Sequence, residues 1–376
     1  MSFAQSGNPY RVHDLARLLS PSLLLFRELL NQNIDSMIGI AGSPERLRPH
    51  CKTHKMAAVA RIELSKGIRK HKCATFAEAE MLAEAGVKDV FLAYNPVGPN
   101  IERAVQFLQR FPDVTFSVTA DHPHAVAALS QAMSASGQTI EVLLDVDIGF
   151  HRTGIEPGAA AVSLYRQIAN SPGLRPGGLQ AYDGQHHQPS RSEREQAVEA
   201  DWQTVRALRD RLVREGLPVP RIVVGGTPTF PIHAANRDPA IEIAPGTCVL
   251  HDAGYGESYP EMKFSPAAVL LTRVVSRPAA DRLTLDLGTK AVASDPPVGR
   301  RLVIPELPDA RQVVHNEEHL VLETPRASEF TPGDALMAIP RHICPTVALH
   351  RDVYVISEGR LVDRWPVTAR DRFLSL

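Results

Sequence analysis

Residues 75–118 read TFAEAEMLAEAGVKDVFLAYNPVGPNIERAVQFLQRFPDVTFSV. Thr75 to Ala85 carries a helical pattern, and Val90-Phe-Leu-Ala-Tyr94 is a short apolar run of strand type. Ile101 to Phe111 is helical again, and Thr115-Phe-Ser-Val118 is extended again. Helix and strand in strict alternation are the signature of a parallel sheet with crossover helices. The alternation continues outward. Ile140-Glu-Val-Leu-Leu144 and Arg221-Ile-Val-Val-Gly225 read as strands. Pro123 to Ser134, Gly158 to Ala169 and Ser192 to Glu215 read as helices. The number of units fits an α/β fold of the (β/α)8 barrel type, which takes about 200–250 residues. A doubly wound open sheet is the alternative. Upstream, Ser22 to Phe26 is a short strand that would lie outside the barrel. Phe26 to Ile40 places Phe26, Leu29, Leu30, Ile34, Met37 and Ile38 on one helical stripe.

The texture changes after residue 260. Val269-Leu-Leu-Thr-Arg-Val-Val275, Arg282-Leu-Thr-Leu-Asp286, Arg301-Leu-Val-Ile304, His319-Leu-Val-Leu-Glu323, Ala335-Leu-Met-Ala-Ile339 and Val353-Tyr-Val-Ile356 are all short and strand-like. No convincing helix intervenes, so this is a β domain. The expected division is a barrel over 26–258 and a β domain over 259–376, the latter joined by residues 1–25.

Composition narrows the function. The chain has 376 residues, 44% hydrophobic and 22% charged, which is ordinary globular usage. Lys+Arg 41 against Asp+Glu 42 gives a net charge of -1, so no global basic excess draws it to nucleic acid or anionic lipid. The four cysteines, Cys51, Cys73, Cys248 and Cys344, form no Cys-x-x-Cys and no disulfide framework. The N-terminus lacks a secretory pattern, and no apolar run approaches the roughly 18 residues of a membrane span. A soluble, cytoplasmic protein with a sizeable core is expected.

The densest chemistry lies in Arg48-Pro-His-Cys-Lys-Thr-His-Lys55, at the C-terminal end of the first barrel strand, where catalytic groups of barrels sit. Cationic crowding is one way to make a lysine amine neutral and nucleophilic, as a Schiff base requires. Spacing alone fits a solvated basic loop equally well.

Arg-Pro-His-x-Lys-Thr-His-Lys resembles the cofactor-lysine motif of the D-threonine aldolase and D-serine dehydratase family. The resemblance continues in order through Asp145-Val-Asp-Ile-Gly-Phe-His-Arg-Thr-Gly154, Gly178-Leu-Gln-Ala-Tyr-Asp-Gly184, Gly225-Gly-Thr-Pro-Thr229, Pro245-Gly-Thr247 and His342-Ile-Cys-Pro-Thr346. It implies a pyridoxal 5'-phosphate enzyme on a barrel like that of alanine racemase, with Lys52 as the cofactor lysine and His50 beside it. Gly226, Thr227, Gly246 and Thr247 lie in two late loops and are implied as phosphate contacts. On composition alone both loops read as ordinary turns. Arg152 is implied to face the phenolic oxygen of the cofactor, and Gln180 and Tyr182 to contact its ring. A core tyrosine is an equal reading of Tyr182. Racemases of this fold carry arginine in the late Pro-Gly loop, where this chain has Ala244, which weighs against racemisation.

His342-Ile-Cys344 is read as an extended segment between two strands, on which residues two apart point the same way. Imidazole and thiolate suit zinc, although spacing alone favours a buried cysteine beside an incidental histidine. The resemblance implies a divalent metal on His342 and Cys344, zinc before manganese or magnesium. His186 and His187 are candidate catalytic proton-transfer groups, though adjacent histidines in a loop are more often only polar. Asp286 to Lys290 and Glu317 to His319 have no assigned role. The expected activity is a pyridoxal-phosphate- and metal-dependent lyase on β-hydroxy-D-amino acids, as a homodimer. D-threonine aldolase comes first and D-serine dehydratase second, followed by a racemase or a non-catalytic pyridoxal-phosphate-binding protein.

Overall fold

The computed structural model describes residues 9–376. The first strand, β1 (Ser22–Phe26), lies outside the barrel, as expected. Seven parallel strands then follow in strict sequence order: β2 (Lys70–Cys73), β3 (Asp89–Leu92), β4 (Thr115–Ala120), β5 (Ile140–Asp145), β6 (Leu174–Ala181), β7 (Ile222–Val224) and β8 (Ile241–Ile243). Helices Phe76–Glu84, Pro99–Arg110, Pro123–Ser136, Ala159–Asn170 and Arg191–Arg214 lie between successive strands, where the alternation places them.

The eighth stave is shorter than the sequence implies. The first strand, expected to end in the lysine segment, is reduced to two parallel bridges, Leu47↔Ile243 and His50↔Lys72. Backbone bonds from Arg48 N to Ile243 O (2.8 Å), from His50 N to Pro245 O (2.8 Å) and from Lys72 N to Pro49 O (2.9 Å) reinforce them. Residues 47–50 thus join β8 to β2 and close the ring. Pro49 explains the brevity, since proline removes a ladder donor. Arg48 anchors the stave from inside. Its fully buried guanidinium is held by Asp89 (2.7 and 3.0 Å) and Glu242 (2.5 Å), and Glu242 also accepts from Lys70 (2.8 Å).

Two elements here are absent from the sequence reading. Helix Ala57–Ser65 follows the lysine segment, and β2 follows that helix. The sequence of β2 is Lys-His-Lys-Cys, with no apolar run to mark it, yet three of its four residues are buried.

The chain divides into two compact units: one holds 38–52, 57–246 and 371–376, and the other holds the described residues up to 37 together with 53–56 and 247–370. The second unit is built on a mostly antiparallel sheet. Its central strand, Ala268–Ala279, pairs antiparallel with β1, Arg282–Leu285 and Ala335–Pro340. β1 pairs in parallel with Asp352–Ser357 on its other side. Leu24, Phe26, Val269, Leu271, Met337, Ile339 and Ile356 pack as one core cluster with Tyr10 and Leu18. This unit is not purely β, because Ala253–Ser258 and Ile343–Leu349 are helices. No helix among the described residues is long and apolar enough to cross a membrane.

Candidate active site

The barrel holds a cavity of about 570 Å³, a size suited to a cofactor or drug-sized ligand. Its lining includes His50, Lys52, Arg152, Gln180 and Tyr182, all singled out from sequence, and Lys72 and Asp145, which were not.

Local geometry explains how the predicted residues arrive. Lys52 lies in the 3-10 turn Cys51–Thr53, and its backbone N–H donates to His50 Nδ1 at 3.2 Å. The imidazole therefore shapes the turn that presents the lysine. Arg152 is delivered by a tight loop after β5. The Asp147 carboxylate accepts from the Gly149 and His151 amides at 2.9 and 3.0 Å and pairs with His151 Nδ1 at 2.8 Å. Gly154, at φ +100, passes so close that a Cβ would lie 2.6 Å from Asp147 N, so only glycine fits. The Arg152 guanidinium carbon stands 4.8 Å from the ring centroids of both Phe150 and Tyr182. The Tyr182 ring packs close to Gly226, where a Cβ would come within 3.1 Å of it.

Lys72 is the residue that sequence reasoning missed. It is 4% exposed, and its amine donates to Gln180 Oε1 at 3.0 Å. Burial pushes this amine down to about 7, with help from the Lys52 and Arg152 charges and against the pull of Asp145 and Asp183. Asp145 moves the other way, raised by burial first and by Asp121.

The two late loops meet, the Gly246 N–H donating to Thr227 Oγ1 at 3.3 Å. The Gly226 amide donates to Thr229 Oγ1 at 3.0 Å. That hydroxyl bonds Asp183 (2.8 Å), which also binds His233 Nε2 (2.7 Å), so a buried network fixes the loop from behind. His186 is buried and bonded to Asp201 at 2.6 Å, whereas His187 is exposed. Neither lines the cavity.

In the other unit, His342 and Cys344 do converge, but not as an extended pair. His342 is the N-cap of helix Ile343–Leu349, and Cys344 sits in its first turn. The correction follows from Pro345, which is favoured in the first helical turn, and from the Asp252 carboxylate, which accepts from the Ile343 N–H at 3.0 Å. Burial would raise the Cys344 thiol, but hydrogen bonds from His342 and Thr53 and the His342 charge outweigh it and lower the pKa. The hydroxyls of Thr53 and Thr247 lie 3.2 and 3.5 Å from its sulfur. Thr247, read as a phosphate contact, is thus a partner of the thiol. His342 is pulled down by burial but carried up to about 9 by Cys344 and Asp295. Asp295 takes His342 Nδ1 at 2.5 Å, which leaves Nε2 as the ring nitrogen for a metal. Sulfur, imidazole and an orienting carboxylate make a donor set that fits a divalent, borderline-soft ion.

Residues 27–252 match the family described as alanine racemase, N-terminal domain, and residues 267–356 match the putative serine dehydratase domain. The D-threonine aldolase of Arthrobacter sp. is 31% identical over 372 residues, covering 98% of this chain and 95% of that protein. The chain belongs to the D-threonine aldolase and D-serine dehydratase family. By that membership it is a pyridoxal-phosphate-dependent lyase on the alanine racemase fold. A 3-hydroxy-D-aspartate aldolase of Paracoccus denitrificans is 29% identical, covering 96% of this chain and 94% of that one. The crystal structure of D-threonine aldolase from Filomicrobium marinum superposes with a TM-score of 0.87 at 30% identity, covering 95% and 96%. The cavity offers amines, an arginine and an aromatic wall, which suit a cofactor of this kind.

Proposed function

We propose that this family member is a metal-dependent aldolase that splits D-threonine and related β-hydroxy-D-amino acids into glycine and an aldehyde. The observation that carries the reading is the near full-length similarity to the Arthrobacter D-threonine aldolase, together with a donor set at His342 and Cys344.

Lys52 binds the cofactor through its amine, and Arg152 orients it from the cavity wall. Thr227 and Gly246 hold the phosphate end. When bound, pyridoxal phosphate supplies an electron sink for charge developing at Cα. His342 and Cys344 hold a divalent cation, for which zinc is the first choice, and Asp295 fixes the imidazole. That cation supplies Lewis acidity toward the substrate hydroxyl. Thr53 and Thr247, the hydroxyl partners of the thiol, follow Lys52 and Gly246 directly in the chain.

The two branches of the family differ in which proton must leave. Aldol cleavage takes it from the β-hydroxyl. Dehydration takes it from Cα, where the Lys52 amine is the base at hand. The thiolate ligand and the serine dehydratase match over 267–356 favour keeping dehydration as the second reading.

Purified protein loaded with pyridoxal phosphate and Zn²⁺ or Mn²⁺ is incubated with D-threonine, L-threonine and D-serine. Glycine plus acetaldehyde is expected from D-threonine alone. A keto acid and ammonia in place of glycine would move the chain to the dehydratase branch, and equal turnover of L-threonine would overturn the stereochemical assignment.

A further inference from the structure

Two amines line the barrel cavity, and the reading above uses only one. Lys72 sits on β2, across the barrel from β6, and reaches Gln180 at 3.0 Å. The Lys52 and Lys72 nitrogens stand 5.9 and 5.8 Å from the centroid of the same ring, Tyr182. Lys72 is also 5.8 Å from the Phe91 ring centroid. Among the described residues no carboxylate forms an ion pair with it, although it is 4% exposed. An apolar side chain of similar length would fill this place without the cost of a buried amine. A lysine retained there, in the wall of the cofactor cavity, points to function.

We propose that Lys72 is a positioning residue for the cofactor: its amine, held by Gln180 in the cavity wall near Tyr182, sets the polar surroundings of the ring of the pyridoxal phosphate bound at Lys52. This inference rests on the reading of Lys52 as the cofactor lysine. The charged and titratable groups around Lys72 are Lys52 and His50 on the lysine segment, Asp145 and Arg152 at the end of β5, and Tyr182 and Asp183 at the end of β6. With burial dominant in that set, its amine changes charge near neutrality, at about 7. A charge close to the cofactor ring alters its electronics. The visible absorption of the bound cofactor therefore reports the switch without any turnover.

The test uses holoprotein as wild type, Lys72→Met and Lys72→Gln, with folding checked by circular dichroism. Each is titrated while the cofactor absorption is recorded, then reduced with borohydride and peptide-mapped. Wild type should show a spectral transition on titration that both variants lack, with the label on Lys52 in all three. The same transition in the variants, or none in wild type, overturns the proposal while leaving the Lys52 reading intact. Label on Lys72 overturns it as well. Wild-type protein that takes up no cofactor at Lys52 overturns the parent reading and this one together.

Discussion

Arg48→Met removes the guanidinium that ties the short eighth stave to its neighbours. Burial raises the Glu242 carboxyl, but the charge and hydrogen bond of Arg48, with those of Lys70, bring it from 4.5 down to about 2. A fall of that size corresponds to about 3 kcal/mol, at 1.36 kcal/mol per unit. Removing one partner from a buried pair costs about 3–5 kcal/mol, because the other charge stays behind without compensation. Lys70 remains on Glu242 at 2.8 Å and offsets part of this, so a loss of about 3 kcal/mol at pH 7 is expected. The pH window follows from the direction of the shift. A depressed carboxyl contributes fully above its unfolded value of 4.5 and loses that contribution as pH falls toward about 2. The gap between wild type and variant should therefore be wide at pH 7 and narrow steadily on acidification below 4.5. Urea unfolding of both proteins at matched cofactor loading measures it. A gap under about 1 kcal/mol at pH 7, as an exposed ion pair would give, or one that does not narrow in acid, as expected if the carboxylate were not involved, would refute the reasoning.

Further outcomes concern the other unit. Cys344→Ala should lose most of its bound metal. Asp295→Asn should weaken metal affinity by about 10–100-fold, as expected when a carboxylate orienting a histidine ligand is lost. Cys344→Asp should retain metal but shift preference from Zn²⁺ toward Mn²⁺; equilibrium dialysis with each ion checks all three. His251 is buried, both of its ring nitrogens lack partners, and burial drives it from 6.5 to about 4. Unfolded chains then bind a proton that the folded protein refuses, so stability should fall as pH drops from 6.5 toward 4. In His251→Phe that part of the slope, worth about 3 kcal/mol, should disappear from thermal unfolding curves recorded across this range.

What could be read from the sequence follows from what each element must bury. Strands β3, β4, β5 and β7 and the long helices between the barrel strands announce themselves because each buries apolar residues at its own period. β2 is silent because Lys-His-Lys-Cys serves a polar interior: His71 meets Glu63 at 3.0 Å, and Lys72 faces the cavity. The same polarity hid Lys72 as a site residue, and only its place between two strands of a barrel could have drawn attention to it. His-x-Cys was recognisable as a donor pair, but its geometry was not. The helix it begins is short and lies in a stretch of strand pattern, so no periodicity separates it from its neighbours. Arg48 was legible as part of a motif yet not as an anchor, because Asp89 and Glu242 reach it only through the closure of the ring. His186 and His187 stood out only as adjacent loop histidines, and nothing in the sequence set the buried one, bonded to Asp201, apart from the exposed one.

The identity of the lysine that carries the cofactor is the central point. Wild-type holoprotein reduced with borohydride, digested and mapped by mass spectrometry gives the answer in one experiment. The pyridoxyl mass is expected on the peptide bearing Lys52, and Lys52→Ala should bind no cofactor covalently. A label on Lys55 or Lys72, or an unchanged label in Lys52→Ala, would contradict it.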